Sequence, residues 1–61
     1  MLKGADRFFR VYSGVPTNEK KLPIVVVNDK PINWDLAYEE IKNETELGEK
    51  ILKILIDLDI I

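Results

Sequence analysis

Between Asn43 and Ile61 the sequence reads NETELGEKILKILIDLDII, a run whose apolar residues are denser than a small domain easily hides. Set on a helix at about 100° per residue, Leu47, Ile51, Ile54, Leu55, Leu58 and Ile61 form one stripe, and Leu52 and Ile56 carry it further round. The apolar arc spans roughly 220°, about twice what a surface helix needs against a single neighbour. Only Glu46, Glu49, Lys50, Lys53 and Asp57 remain for a wet face. Three arrangements satisfy such an arc. A second copy of the chain covers it, the helix is clasped on two sides by its own domain, or Ile54 to Ile60 is a strand, since Ile54, Ile56, Leu58 and Ile60 also alternate. The periodicity favours the helix, and the width of its arc favours self-association.

The start of this helix is marked by Asn43, whose side chain accepts from first-turn N–H groups, with Glu46 three residues on completing a capping box. Its end is poorly marked. Asp57 and Asp59 stand where the helix dipole favours cations, and no Gly or Pro follows, so fraying is expected after Leu58.

A chain of 61 residues forms one domain, here 1–61 with residues 1–6 as a loose leader. A domain this small buries only about 60% of the surface its unfolded chain exposes, so it needs a disulfide, a metal, a partner or unusually good packing. The chain has no Cys and no His, which removes disulfides, thiolate and Ser-His-Asp chemistry, and zinc sites of the Cys/His kind. Oligomerisation or packing is left. Gln is also absent, Met occurs only at position 1, and 33% of residues are charged alongside many Ile and Val, a balance typical of proteins from hot environments. Residues 1–6 offer no apolar signal run and no lipidation motif, and no stretch is long enough to span a membrane, so an intracellular, cytoplasmic protein is expected. The net charge of −2 divides as +3 over residues 1–30 and −5 over residues 31–61, an asymmetry that marks either a basic binding face or two halves attracting each other, the second being favoured.

Arg7 to Ser13, RFFRVYS, is rich in aromatic and β-branched residues and closed by Gly14, and so reads as a first strand. Val15 to Asn18 is a turn, and Pro23 to Val27 a second strand. The pairing this predicts sets Phe9 opposite Val25, Val11 opposite Pro23, Phe8 opposite Val26, Arg10 opposite Ile24 and Tyr12 opposite Leu22, with both faces largely apolar. Asn28, Asp29 and Lys30 turn the chain into a short third strand, Pro31 to Asn33. Asn33 then caps a helix from Trp34 to Lys42 whose inner stripe is Trp34, Ala37, Tyr38 and Ile41. The predicted fold is α+β in the order βββαα: a small antiparallel meander of two long strands and a short third, followed by two helices.

Chemistry-bearing patterns are few. Asp57-Leu58-Asp59 offers two carboxylates where a hard cation needs six or more oxygens, and the three glycines are scattered rather than gathered into a phosphate loop. No catalytic, cofactor or metal residue is assigned, and no enzyme is expected. The expected function is a small interaction or regulatory module, working as a homodimer or with another protein as partner, and without a membrane. Its contact residues are Leu52, Ile56, Ile60 and Ile61, with Phe9 and Val11. The rival class is a nucleic-acid binder, because Arg7, Phe8, Arg10 and Tyr12 interleave cations with rings on one segment and Lys20 and Lys21 follow at the turn. The negative net charge counts against it.

Overall fold

The computed structural model describes all residues, Met1–Ile61. Helix α1 (Ala5–Gly14) is followed by a 3₁₀ turn (Glu19–Lys21), strands β1 (Pro23–Val27) and β2 (Lys30–Asn33), and helices α2 (Trp34–Lys42) and α3 (Glu46–Asp57). The class is α+β, as the sequence predicts, with a two-stranded antiparallel sheet and three helices in place of three strands and two helices.

The expected first strand is α1, and the expected leader is its beginning. Ala5 and Phe8 are fully buried, and Tyr12 continues the same face, so the spacing that matters is i, i+3, i+7 and not alternation. The β-propensity of RFFRVYS yields to the packing of Phe8 against Trp34, with ring centroids 5.8 Å apart. None of the cross-strand pairs expected of Phe8 to Tyr12 therefore exists. Gly4 opens the helix with φ 88°, a left-handed backbone that favours glycine, and a Cβ there would lie 2.9 Å from Ile56 Cδ1, a side-chain tip that can turn aside. Pro16, two residues beyond Gly14, keeps the helix from continuing.

From Pro23 to Lys42 the structure follows the sequence closely. Val27 pairs with Lys30 across a two-residue turn in which Asn28 and Asp29 have φ 52° and 64°, the double left-handed backbone of a tight hairpin. Val26 pairs with Pro31 and Val25 with Ile32. Asn33 then caps α2, its side-chain oxygen accepting from Leu36 N–H at 2.7 Å.

The junction of α2 and α3 differs from expectation. Asn43 is the last residue of α2's C-terminal cap, and the N-cap of α3 is Thr45. Glu44 takes a left-handed φ of 55°, its N–H donates to Ile41 O, and Thr45 N–H donates to Glu40 O, which closes α2 in a Schellman motif. Thr45 Oγ1 accepts from Gly48 N–H at 2.9 Å and donates to Glu40 Oε1 at 2.7 Å. Glu40 is thereby tied to the corner. The far end of α3 does not fray at Leu58. Asp59 adopts φ 62°, and Ile60 N–H and Asp59 N–H donate to Leu55 O and Ile56 O, a second Schellman closure built without glycine. The strand alternative for Ile54 to Ile60 is excluded by the same bonds.

One core joins all the elements: Phe8 from α1, Val27 and Ile32 from the hairpin, Trp34, Ala37 and Ile41 from α2, and Ile51, Leu52 and Leu55 from α3. Much of the wide arc of α3 is covered within the chain. Ile51 and Leu55 lie in the core and Leu52 is only 3% exposed, while the start of α1 lies against α3, where Gly4 faces Ile56 and Arg7 Nη2 donates to the Ile61 carbonyl at 2.7 Å. Cover from two sides by the domain itself thus accounts for Ile51, Leu52 and Leu55, while Leu58 at 60% exposure is left open.

Candidate interaction surfaces

Three surfaces remain open. The first is the hairpin. Because side chains alternate along a strand, Val25, Val27 and Ile32 turn to the core while Val26 and its partner Pro31 turn away from it. Val26 is 65% exposed, and Leu22, just before β1, is 59% exposed. Neither strand has a second neighbour, and no residue of β1 makes a backbone hydrogen bond outside the hairpin. The two edges are unequal. On β2, Lys30 and Pro31 are residues that discourage further pairing, whereas β1 has Pro23 at its first position and then Ile24-Val25-Val26-Val27 without a charge.

The second surface is a trough of about 620 Å³ between α1 and α2, lined by Phe9, Tyr12, Ser13, Lys20, Tyr38 and Lys42. The Tyr12 and Tyr38 rings stack with centroids 4.6 Å apart, and Phe9 meets Tyr38 edge-on at 5.5 Å. Lys20 Nζ lies 4.1 Å above the Tyr12 ring, and Lys42 Nζ is 5.8 Å from the Tyr38 ring. Beneath them Phe8 fills the core, so the outer rings stand half in water.

Tyr12 is anchored by its hydroxyl, which donates to Asp35 Oδ1 at 2.9 Å. Lys21 Nζ reaches the other oxygen of that carboxylate at 4.0 Å. The hydrogen bond to Asp35, then partial burial, then the negative charges of Asp35 and its neighbours hold the Tyr12 phenol above its ordinary pKa of 10.0. A phenol raised on folding contributes stability that is complete below its unfolded pKa and lost as pH rises through the folded value. Above pH 10 the wild type is therefore expected to lose stability more steeply than Tyr12→Phe. Below it the variant is expected to be the less stable, lacking the bond to Asp35. Urea unfolding midpoints of the two proteins across this range check both signs, and parallel curves would contradict them.

The third surface is a groove of about 580 Å³ between the start of α1 and α3, with Leu2, Leu52 and Ile56 as floor and Lys3, Arg7, Glu49, Lys53 and Asp57 around it. Its rim carries both signs of charge and selects for no ligand.

Of the residues expected to form a dimer contact, Leu52 and Ile56 come together on the floor of this groove, Leu52 almost closed and Ile56 half-buried. Ile61, Phe9 and Val11 are half-buried against the core, and Ile60 is 37% exposed near Leu58 at 60%. The nucleic-acid set also separates. Phe8 is in the core, Arg7 is engaged by Ile61 beside the groove, and Arg10 is exposed on α1 but does not line the trough. Tyr12 and Lys20 do meet, joined by three residues that sequence reasoning placed elsewhere: Phe9, Tyr38 and Lys42. The spacing Phe9 to Tyr12 and Tyr38 to Lys42 on two helices was the available signal, readable only once α1 is taken as a helix.

No group of three or more Asp or Glu side chains converges as a metal site, and no helix is long and apolar enough to cross a membrane. Compared with protein families, curated proteins and solved structures, the chain matches none.

Proposed function

We propose that this is a small intracellular protein-contact module without catalytic activity, which acts as a two-fold dimer through its hairpin. The observation that supports this is the uncovered side of β1: an uncharged edge without further backbone pairing, beside a Val26 that is 65% exposed. Antiparallel pairing of β1 with the β1 of a second copy is self-complementary, as a two-fold contact must be, and it extends the two strands to four. Such an extension satisfies the edge N–H and C=O groups and brings the two Val26 side chains onto one face. Burying the exposed three-fifths of Val26 and Leu22 in each copy gives a gross gain of about 4–7 kcal/mol. That is of the same order as the roughly 4–15 kcal/mol that association costs, so the dimer is concentration-dependent and not obligate. The lack of cysteine suits an intracellular setting, where thiols stay reduced and disulfides would not help.

Sedimentation equilibrium over the micromolar range is expected to show monomer and dimer in exchange. Val26→Lys places a charge on the open face and is expected to raise the dimer Kd about tenfold or more, without changing the helical circular dichroism. A wild type that stays monomeric at high micromolar concentration would retire the dimer and assign the β1 edge to a strand of another protein.

A further inference from the structure

We propose that the trough between α1 and α2 binds single-stranded nucleic acid, with a base on the Tyr12–Tyr38 aromatic surface and the flanking phosphates on Lys20 and Lys42. This goes beyond the dimer and rests on a different face. Phe8 already closes the core beneath, so Phe9, Tyr12 and Tyr38 form an additional aromatic layer whose outer parts meet solvent. A stack of two rings 4.6 Å apart, steadied edge-on by Phe9 and fixed by the Tyr12–Asp35 hydrogen bond, presents a rigid surface to a planar group. Every base has such a face, and stacking on aromatic side chains is tolerant of sequence.

The two lysines define the charge of the ligand. Lys20 comes from the 3₁₀ turn and Lys42 from the end of α2, so they reach the trough from different elements, and neither lies within 4.0 Å of a carboxylate. Their ammonium groups rest over rings, a position from which each can turn to a phosphate while a base takes the ring face. A cationic ligand is disfavoured there for the same reason. Asp35 and Glu39 are the nearby carboxylates acting on Tyr12, and Asp35 is held by the Tyr12 hydroxyl and by Lys21. With Lys21 the local balance is three cations to two carboxylates, which sets a modest, salt-sensitive affinity. At about 620 Å³ the trough lies within the range of roughly 300–1,000 Å³ usual for small-ligand sites and suits a nucleotide unit at a time, not a duplex.

The test is fluorescence anisotropy of labelled oligothymidylate of about twelve nucleotides with the full chain at low salt. Two phosphate contacts predict that a fivefold rise in salt weakens binding by about tenfold. Lys20→Gln with Lys42→Gln is expected to weaken binding about tenfold or more and to flatten the salt dependence, while Lys50→Gln with Lys53→Gln on α3 leaves both unchanged. Tyr38→Leu, which keeps an apolar side chain against Phe9, is expected to weaken binding about tenfold at unchanged circular dichroism. The lysine pair carries the test if Tyr38→Leu fails to fold. Absence of binding at the lowest salt, an equal loss in the α3 control, or equal competition by a duplex, by thymidine monophosphate or by a polyglutamate peptide would each overturn the proposal. Because Val26→Lys leaves the trough intact, its binding to the oligonucleotide is expected to match the wild type, which separates this surface from the dimer.

Discussion

Gly48→Ala is expected to remove about half of the protein's folding free energy. A Cβ at this position would fall against the Glu40 carbonyl oxygen, with Ile41 N only 2.8 Å away, and both are backbone atoms of α2 that cannot swing aside. Relief requires the two helices to separate. That would stretch the bonds by which Thr45 N–H reaches Glu40 O and Gly48 N–H reaches Thr45 Oγ1, so the cap is lost together with the packing. Overpacking of this kind costs about 1–3 kcal/mol, and an N-cap about 1–2 more. A domain of this length holds only roughly 3–9 kcal/mol in total. Thermal unfolding followed by circular dichroism checks the outcome. A variant within about 1 kcal/mol of wild type would mean that α2 and α3 do not approach through Gly48.

The second large effect is expected at Phe8. Phe8→Ala removes the ring on which Phe9, Tyr12 and Trp34 all converge, with centroids 5.7, 5.9 and 5.8 Å away, and leaves a cavity at the centre of a very small core. The cost is expected to be about 3–5 kcal/mol. Phe9→Ala, one position along but half-buried, is expected to cost well under half as much, since its ring touches Tyr38 at the surface. The contrast between neighbours reads the helix directly: a strand buried on both faces would make the two losses similar. Urea unfolding of both variants decides it, and equal losses would contradict the placement of α1.

How far the sequence was legible follows from where its signals were local. Asn28-Asp29 and Asn33 act through their own backbone neighbours, and the turn, β2 and the start of α2 all emerge as read. Arg7 to Ser13 failed because ring and β-branched content is a weak property of the strand as such, while the helical register needed Ala5, which had been set aside in the leader. The reading of α1 also bears on α3: a strand at residues 7–13 leaves its second side to a partner or to a clasp by the domain, whereas the helix brings Gly4 and Arg7 against it. The shift from Asn43 to Thr45 has another cause. Both residues are competent caps, and the choice depends on where α2 ends, which its Schellman closure decides and the residue types do not. The trough was half legible for the reason α1 was not: Tyr12 and Lys20 were named, but Phe9, Tyr38 and Lys42 join them only across a helix-to-helix seam.

Thr45 ends one helix and begins the next with the same few atoms. Its N–H closes the last turn of α2 on Glu40 O, its hydroxyl holds Glu40 Oε1, and its oxygen receives one of the free first-turn N–H groups of α3, that of Gly48. A helix end is ordinarily where opening begins, because its terminal turn loosens at little cost to the rest. Here neither of the two facing ends can loosen alone, since releasing Glu40 from Thr45 uncaps α3, and releasing Gly48 frees the residue that seals α2. The α2–α3 pair is therefore expected to open as one unit, with amide protons on the two sides of the corner showing a common opening free energy in hydrogen exchange, and α1, joined to this pair through side chains and the Ile61 carbonyl, opening at lower cost.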